Sequence, residues 1–568
     1  MTTTQPTADT DDGEIAAPLD LLLVNSTKSF ARRMLPNGAL ARFTLALAGQ
    51  PVTVAERGAG LAGELARIVA GRSDRAPGRG DRRFSDPAWQ GNPLLRRVMQ
   101  SYLATSDVAE QLFIDADLGY KDAEKMKFAL DNLVEGLAPT NNPLLSPLGW
   151  KAMIDTGGLS AVRGARAFVR DMASRPRVPA MVDPGAYSVG ETVATTRGTV
   201  ILRTRVFELI QYAPQTTEVR QAPLLLVPPV INKYYIMDLA PDRSLVEYYL
   251  RGGQQVFAVS WRNPQARHRD WGMDKYGEAI VEALDTAATV TGSEKVNVFA
   301  TCSGGILTAM TLAHLAASGR GDRVGSLTLG VTVLDQHHAG FASALADERA
   351  AAAAIRTSAH KGYLDGRAMA EMFAWLRPTD LVWRYWVNNY IQGRSPAPFD
   401  VLYWNADTTR MTAALHRDMV MMGLHNELVT PGAAKMLGTP VDLGAVTCDS
   451  YVIGGIADHI CPWQATYRSA ALLGGKDNRY VLSSSGHIAS LVNPPGNRKA
   501  SYRTAPVDAE LTPEEWMESA EKQAGSWWPD HLAWLDAHGG DLVPAPTALG
   551  AAGFEPLAPA PGTYVLES

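Results

Sequence analysis

An α/β architecture, with a mostly parallel sheet, a helical insertion within it and a mainly helical region ahead of it, is predicted by three features of this sequence. From about Thr192 onward, short apolar runs alternate with amphipathic helical periods, the pattern of βα units. From about Leu21 to Pro184 the periodicity is helical instead. Between about residues 336 and 438 a helical stretch interrupts the βα rhythm and holds Trp375, Trp383, Trp386 and Trp404 of the chain's 13 tryptophans. Such an insertion reads as a cap over a buried site, with an extra packing subdomain as the alternative.

At 568 residues the chain is too long for one ordinary core, so one large domain plus a smaller one is expected. Residues 1–18 are rich in Thr, Asp and Ala and read as a disordered tail. Residues 19–190 read as the helical domain, with amphipathic stretches at 93–103 and 121–137 and breaks at Pro139, at 141–143 and at Pro147. Residues 191–568 read as the α/β domain carrying the insertion. Its strand candidates are 224–227, 255–261, 296–300, 324–334, 450–453 and 479–482. Between them Tyr276, Ile280, Leu284 and Ala288 recur every four residues on one helix face, and 304–317 forms a second, Ala/Leu-rich helix.

Composition excludes several function classes. The chain is 46% hydrophobic and 20% charged, with a mean hydropathy of -0.10 and no apolar run long enough to span a bilayer, so no membrane span is expected. A net charge of -6 and a pI near 6.0 argue against nucleic-acid binding, which leaves a basic footprint. The first residues carry Asp9, Asp11, Asp12 and Glu14 without Lys or Arg, unlike a signal peptide, and a cytosolic location is expected. Three Cys cannot build a disulfide framework, which leaves each thiol for packing or chemistry. Neither GxxxxGK[ST] nor a strand-linked GxGxxG occurs, which removes nucleotide and dinucleotide binding.

The sharpest local signal is Val296-Asn297-Val298-Phe299-Ala300-Thr301-Cys302-Ser303-Gly304-Gly305, an apolar strand, a tight turn of small residues and a helix. This is the context of a nucleophile elbow in an α/β-hydrolase fold, with Cys302 in the nucleophile's place. Ala300 replaces the first Gly of the usual G-x-S-x-G pattern, and its methyl is small enough for the turn. Asp458 follows the strand at 450–453 and His487 the strand at 479–482, so the chain order is nucleophile, acid, base, as that fold requires. A thiol of pKa about 8.5 is little ionised at neutral pH and needs an imidazole, here His487, to release its proton.

Two backbone donors are expected at the acyl oxyanion. One is the Ser303 N–H, after the nucleophile. The other lies in the loop after the strand at 224–227, where Pro228 and Pro229 lack N–H groups and leave Val230 or Ile231, with Ile231 preferred. Asp335, at the end of another strand candidate, competes with Asp458 for the role of acid. Cys448, Asp458, His459 and Cys461 lie close in sequence, but their spacing matches no zinc signature, and no metal is expected.

Several runs resemble those of polyhydroxyalkanoate (PHA) synthases: Leu226-Val227-Pro228-Pro229-Val230-Ile231-Asn232-Lys233, Val259-Ser260-Trp261-Arg262-Asn263-Pro264, Thr301-Cys302-Ser303-Gly304-Gly305, Asp458-His459-Ile460-Cys461-Pro462-Trp463 and Ser485-Gly486-His487-Ile488. Others outside the site, such as Asp407-Thr408-Thr409-Arg410 and Asn493-Pro494-Pro495-Gly496-Asn497, extend the resemblance from about residue 80 to the C-terminal Tyr564-Val565. Within the family the chain is most similar to the single-subunit type that favours medium-chain monomers. The resemblance implies a transacylase that loads (R)-3-hydroxyacyl-CoA onto Cys302 as a thioester and passes it to a hydroxyl. It also implies that Asp458 helps activate that hydroxyl. No cofactor is implied, coenzyme A being only the leaving group of the substrate. The implied partners are the growing polyester, the surface of cytoplasmic granules and a second copy of the chain in a homodimer. An acyl-CoA thioesterase or polyester hydrolase using the same triad is the alternative. The small Ala489, two residues past His487, predicts room beside the base and tolerance of short as well as medium chains.

Overall fold

The computed structural model describes residues 37–568 except 79 and 338–347. The expected tail at 1–18 and part of the insertion lie outside the described residues. Eleven strands form the main sheet: β1 (Gly198–Arg203), β2 (Phe207–Tyr212), β3 (Leu224–Val227), β4 (Val256–Trp261), β5 (Val296–Thr301), β6 (Val324–Gly330), β7 (Asp449–Gly455), β8 (Asn478–Ser483), β9 (Ser501–Pro506), β10 (Glu521–Ala524) and β11 (Ala558–Pro559). Their spatial order is β10-β9-β8-β7-β6-β5-β3-β4-β2-β1-β11. The six central strands, β3 to β8, pair in parallel. Antiparallel strands extend the sheet at both edges.

Alternation along the central strands explains why both faces are covered. Leu225, Val227, Val298 and Ala300 enter one core with the helices Met273–Thr291 and Cys302–Ala317. Leu224, Leu226 and Phe299 enter the other, with Tyr249 of the helix Leu245–Arg251 and with Trp527, Trp528 and Trp534 around the helix Trp528–His538. A parallel sheet buried on both sides reads as continuous apolar runs, which is how the sequence displayed these strands.

All six strand candidates form, but β6 ends at Gly330 rather than at residue 334, because Val331 turns the chain with φ +43°. The five antiparallel edge strands were not among the candidates. β2 is buried along its whole length although it contains Glu208 and Gln211. Both find partners in the C-terminal segment, from Thr563 and Tyr564 for the first and Gly550 for the second.

Ahead of the sheet lie the helices Asn37–Ala48, Pro51–Val69, Pro93–Asp115, Tyr120–Gly136, Pro147–Asp155 and Leu159–Ala173. Proline starts three of these helices, where its missing N–H costs nothing. Asn92 and Ser146 accept hydrogen bonds from first-turn amides and so cap two of them. The insertion between β6 and β7 is mostly helical and carries two short strand pairs, Tyr363–Leu364 with Met411–Thr412 and Lys435–Met436 with Thr439–Pro440. Trp375, Trp383, Trp386 and Tyr390 stack edge to face in a row that reaches Phe168 of the helix Leu159–Ala173. Tyr390 Oη also donates to Asp171 at 3.0 Å, so this row joins the insertion to the helical segment.

Candidate active site

Cys302 follows β5 directly and starts the helix Cys302–Ala317 with φ +48°, a left-handed conformation that a non-glycine residue adopts only where its surroundings hold it. The holding is visible at the next glycines. A Cβ at Gly304 would stand 2.3 Å from the Pro228 carbonyl oxygen, and one at Gly305 would stand 2.2 Å from Thr332 Oγ1. The first helical turn is therefore pressed against the loop after β3 and the residues after β6. Only glycine allows that approach.

Asp458 lies in the loop after β7, and its two carboxylate oxygens have separate tasks. Oδ1 accepts from the N–H groups of Ile460 at 2.8 Å and Cys461 at 2.9 Å, which fixes the loop. Oδ2 lies 2.7 Å from His487 Nδ1. His487 begins a short helix after β8, and both side chains are buried. The Cys302 thiol interacts with the His487 ring and with the Cys461 thiol.

The electrostatics follow from these contacts. Contact with Cys461 holds the Cys302 thiol well below the ordinary thiol value. Burial opposes that shift, and the His487 ring and the Ser303 amide add to it. For His487, burial disfavours the charged ring, but the Asp458 carboxylate and the contact with Cys302 override it and push its pKa upward. Both directions favour a thiolate beside an imidazolium. Burial drives the neighbouring His459 down to about 4 and the more distant Cys448 up to about 12.

Asp335 is placed elsewhere, 2.9 Å from Arg468 Nε, with Asn426 Nδ2 and the His337 N–H also donating to it. Of the two candidate acids, Asp458 is the one that faces His487. The Val230 N–H donates to Ser303 Oγ at 3.1 Å, so of the two amides left by the prolines, Ile231 is the one not bonded to a side chain. The Ile231 carbonyl accepts from Thr409 Oγ1 at 2.5 Å, and the Lys233 carbonyl accepts from Trp404 Nε1 at 2.7 Å. The insertion thereby grips the loop after β3. On the other side of the site, the Arg377 guanidinium comes within 3.6 Å of where a Gly486 Cβ would stand.

Sequence reasoning considered Cys461 only as a metal ligand and missed its contact with Cys302. An Asp followed three residues later by Cys, with the Asp side chain bonding back to the Cys amide, was the available signal. Asp458, Cys461 and His487 do offer ligand atoms within 4.8 Å of one another, and Cys448 is outside this group. Ala489, two residues past the buried His487, is exposed.

Residues 80–249 match the family model described as the N-terminus of poly-beta-hydroxybutyrate polymerase (PhaC), and residues 232–494 match that of the alpha/beta hydrolase fold. The chain is 44% identical over 518 residues to poly(3-hydroxyalkanoate) polymerase 1 of Ectopseudomonas oleovorans, covering 91% of this chain and 92% of that one. Polymerase 2 of the same organism is also 44% identical, over 516 residues, covering 91% and 92%. The poly(3-hydroxyalkanoate) polymerase subunit PhaC of Cupriavidus necator is 38% identical over 492 residues, covering 85% and 83%.

Proposed function

The chain belongs to the poly(3-hydroxyalkanoate) polymerases, and from that premise we propose that it joins (R)-3-hydroxyacyl-CoA units into a polyester with release of CoA, through an acyl thioester on Cys302. The observation that carries the assignment of roles is the 2.7 Å bond from His487 to Asp458 beside the Cys302 thiol.

The Cys302 thiolate attacks the carbonyl of the acyl-CoA. The Ser303 N–H, in the first helical turn where no intrahelical acceptor exists, donates to the oxyanion, and the Ile231 N–H is its partner donor. As the tetrahedral intermediate collapses, the CoA sulfur leaves with the proton held by the His487 imidazolium. The neutral imidazole then takes the proton of an incoming 3-hydroxyl, whose oxygen attacks the acyl-Cys302 carbonyl. The ester forms and Cys302 departs as thiolate. Asp458 keeps His487 in the orientation and tautomer that serve both steps. A sulfur nucleophile suits this cycle, because loading exchanges one thioester for another.

In this reading the insertion, through Arg377 and the Thr409 and Trp404 contacts, is a cap that limits water at the acyl-enzyme. The enzyme acts as a single-subunit type on medium-chain monomers, as a homodimer at the surface of cytoplasmic polyester granules. Exposed Ile154, Leu159 and Val169 offer an apolar surface that suits such a polymer. Among the described residues no helix is long and apolar enough to cross a membrane. No cofactor enters the reaction.

Purified protein supplied with 3-hydroxyacyl-CoA of several chain lengths tests the assignment by CoA release and by the fate of the acyl group. High-mass polyester is the expected product. Stoichiometric free 3-hydroxy acid would make the protein a thioesterase.

A further inference from the structure

Lys233 lies in the loop after β3 that also carries Ile231, and it is buried, at 7% exposure. Its Nζ stands 2.8 Å from Asp407 Oδ1 of the insertion and donates to the Val565 carbonyl of the C-terminal segment at 2.5 Å. Asp407 is held in turn, because its Oδ2 accepts from Tyr235 Oη at 3.0 Å. Beside this ion pair the loop and the insertion meet through their backbones. Asn232 forms an antiparallel bridge with Thr408, and the Thr409 N–H donates to the Ile231 carbonyl at 3.3 Å. Three stretches of chain far apart in sequence thus converge on one ammonium, two residues from Ile231. We propose that Lys233 is a positioning residue for the oxyanion hole, tying the loop that presents the Ile231 N–H to the insertion and to the C-terminal segment. The proposal rests on the reading of Ile231 as the second oxyanion donor and of Cys302 as the nucleophile.

An ammonium taken out of water cannot give up its partners cheaply, because breaking the pair leaves an uncompensated buried charge. Lys233 is therefore a fixed point of the loop. At the loop's other end, the Val230 N–H is fixed on Ser303 Oγ at 3.1 Å. The Ile231 N–H lies between these two anchors and shares one planar peptide unit with the Val230 carbonyl, so its direction follows that of the loop. Donors already aimed at the place where charge develops stabilise it without turning during the reaction, which is how an oxyanion hole works. The Lys233 ammonium is engaged by Asp407 and Val565, so it acts through Ile231 and carries no proton in the cycle. Both tetrahedral intermediates, in loading and in ester formation, use the same hole, and both depend on this tie.

The test compares two reactions of Cys302 in the full chain. CoA release from 3-hydroxyacyl-CoA passes through an oxyanion, whereas alkylation by iodoacetamide, a displacement at carbon read by mass spectrometry of the Cys302 peptide, forms none. Lys233→Met keeps an unbranched side chain and removes the ammonium. It should lower kcat for CoA release about 10²-fold. KM should stay near that of the parent, because a donor that acts in the transition state leaves ground-state binding alone, and the alkylation rate should stay there too. Thermal melting reports folding separately. Should Lys233→Met not fold, Asp407→Asn, at a side chain 25% exposed, weakens the same contact and should show the same split in lesser degree. An unchanged kcat, an effect confined to KM, or a parallel fall of kcat and alkylation, the mark of a merely loosened site, would each overturn the proposal. Ile231→Pro, which removes the amide hydrogen, separates the premise from the proposal: a parent-like kcat there would overturn the reading of Ile231 as donor. A parent whose Cys302 is not alkylated at all would instead overturn the nucleophile assignment.

Discussion

Arg468 Nε stands 2.9 Å from Asp335 Oδ2, and this ion pair separates two acids that follow adjacent strands of one sheet. Asp335 is spent on holding the residues after β6 to the helix Trp463–Ala471, whereas Asp458 is free to orient His487. We expect Asp335→Asn to keep CoA release within about tenfold of the parent, about 1.4 kcal/mol of barrier. Asp458→Asn should lower it by up to about 10⁴, as loss of a triad acid does when the geometry survives. Intact-mass detection of the acyl-enzyme should show loading on Cys302 persisting in Asp458→Asn while polymer fails to form. A crippled Asp335→Asn beside a healthy Asp458→Asn would move the acid to the earlier strand.

The pH profile follows from opposite shifts. The Cys302 value is lowered and the His487 value raised, so the thiolate–imidazolium pair exists between the two. Loading should therefore hold well below the ordinary thiol value of about 8.5 and fall only as pH drops through the lowered Cys302 value. It should fall again as pH rises through the raised His487 value, where CoA loses its proton donor. The measurement is kcat/KM for CoA release across the pH range, which reports the free enzyme. In Asp458→Asn the support for His487 is removed, and the alkaline limb should move to lower pH.

Gly304→Ala places a methyl 2.3 Å from the Pro228 oxygen and 2.8 Å from that of Val227, both backbone atoms that cannot swing away. The elbow must then part from the loop carrying Ile231. A cost of about 1–3 kcal/mol in stability is expected for such overpacking, and a misplaced donor pair should lower the rate about 10²-fold. Gly60→Ala is the control: it lies in the helix Pro51–Val69 with nothing within 4 Å of a new Cβ, and should stabilise by up to about 1 kcal/mol.

Glu208 is fully buried in β2 and fastens the C-terminal segment, accepting from Thr563 N at 2.8 Å, Tyr564 N at 3.0 Å and Arg203 Nε at 2.6 Å. Glu208→Ala leaves the buried Tyr564 amide unpaired, at a cost of about 1–3 kcal/mol. Limited proteolysis should remove the C-terminal residues from this variant before the parent is cut. Because Lys233 Nζ donates to the Val565 carbonyl at 2.5 Å, release of the segment also loosens the loop that holds Ile231, and CoA release should slow with it.

The central strands and the elbow were legible because their information is local. Strands of four to seven residues with apolar centres mark β3 to β8, and small residues from Thr301 to Gly305 mark the turn. The edge strands were not legible: β10 reads Glu-Lys-Gln-Ala, largely exposed, and β2 carries a buried carboxylate whose partner amides lie 355 and 356 residues away. The exposure of Ala489 was not legible, because a residue's distance from His487 along the chain does not say which way its turn faces.

By itself the sequence determined the α/β order of elements and the loops on which Cys302, Asp458 and His487 stand, since periodicity and turn chemistry are set by residues a few positions apart. Only the tertiary structure decided that His487 meets Asp458 while Asp335 meets Arg468, that Ser303 Oγ takes the Val230 amide, and that Asp458 also holds the Cys461 amide. Those pairings depend on how strands and loops far apart in the chain pack side by side, and burial then makes each pairing obligatory, because a polar group out of water must find its partner in space.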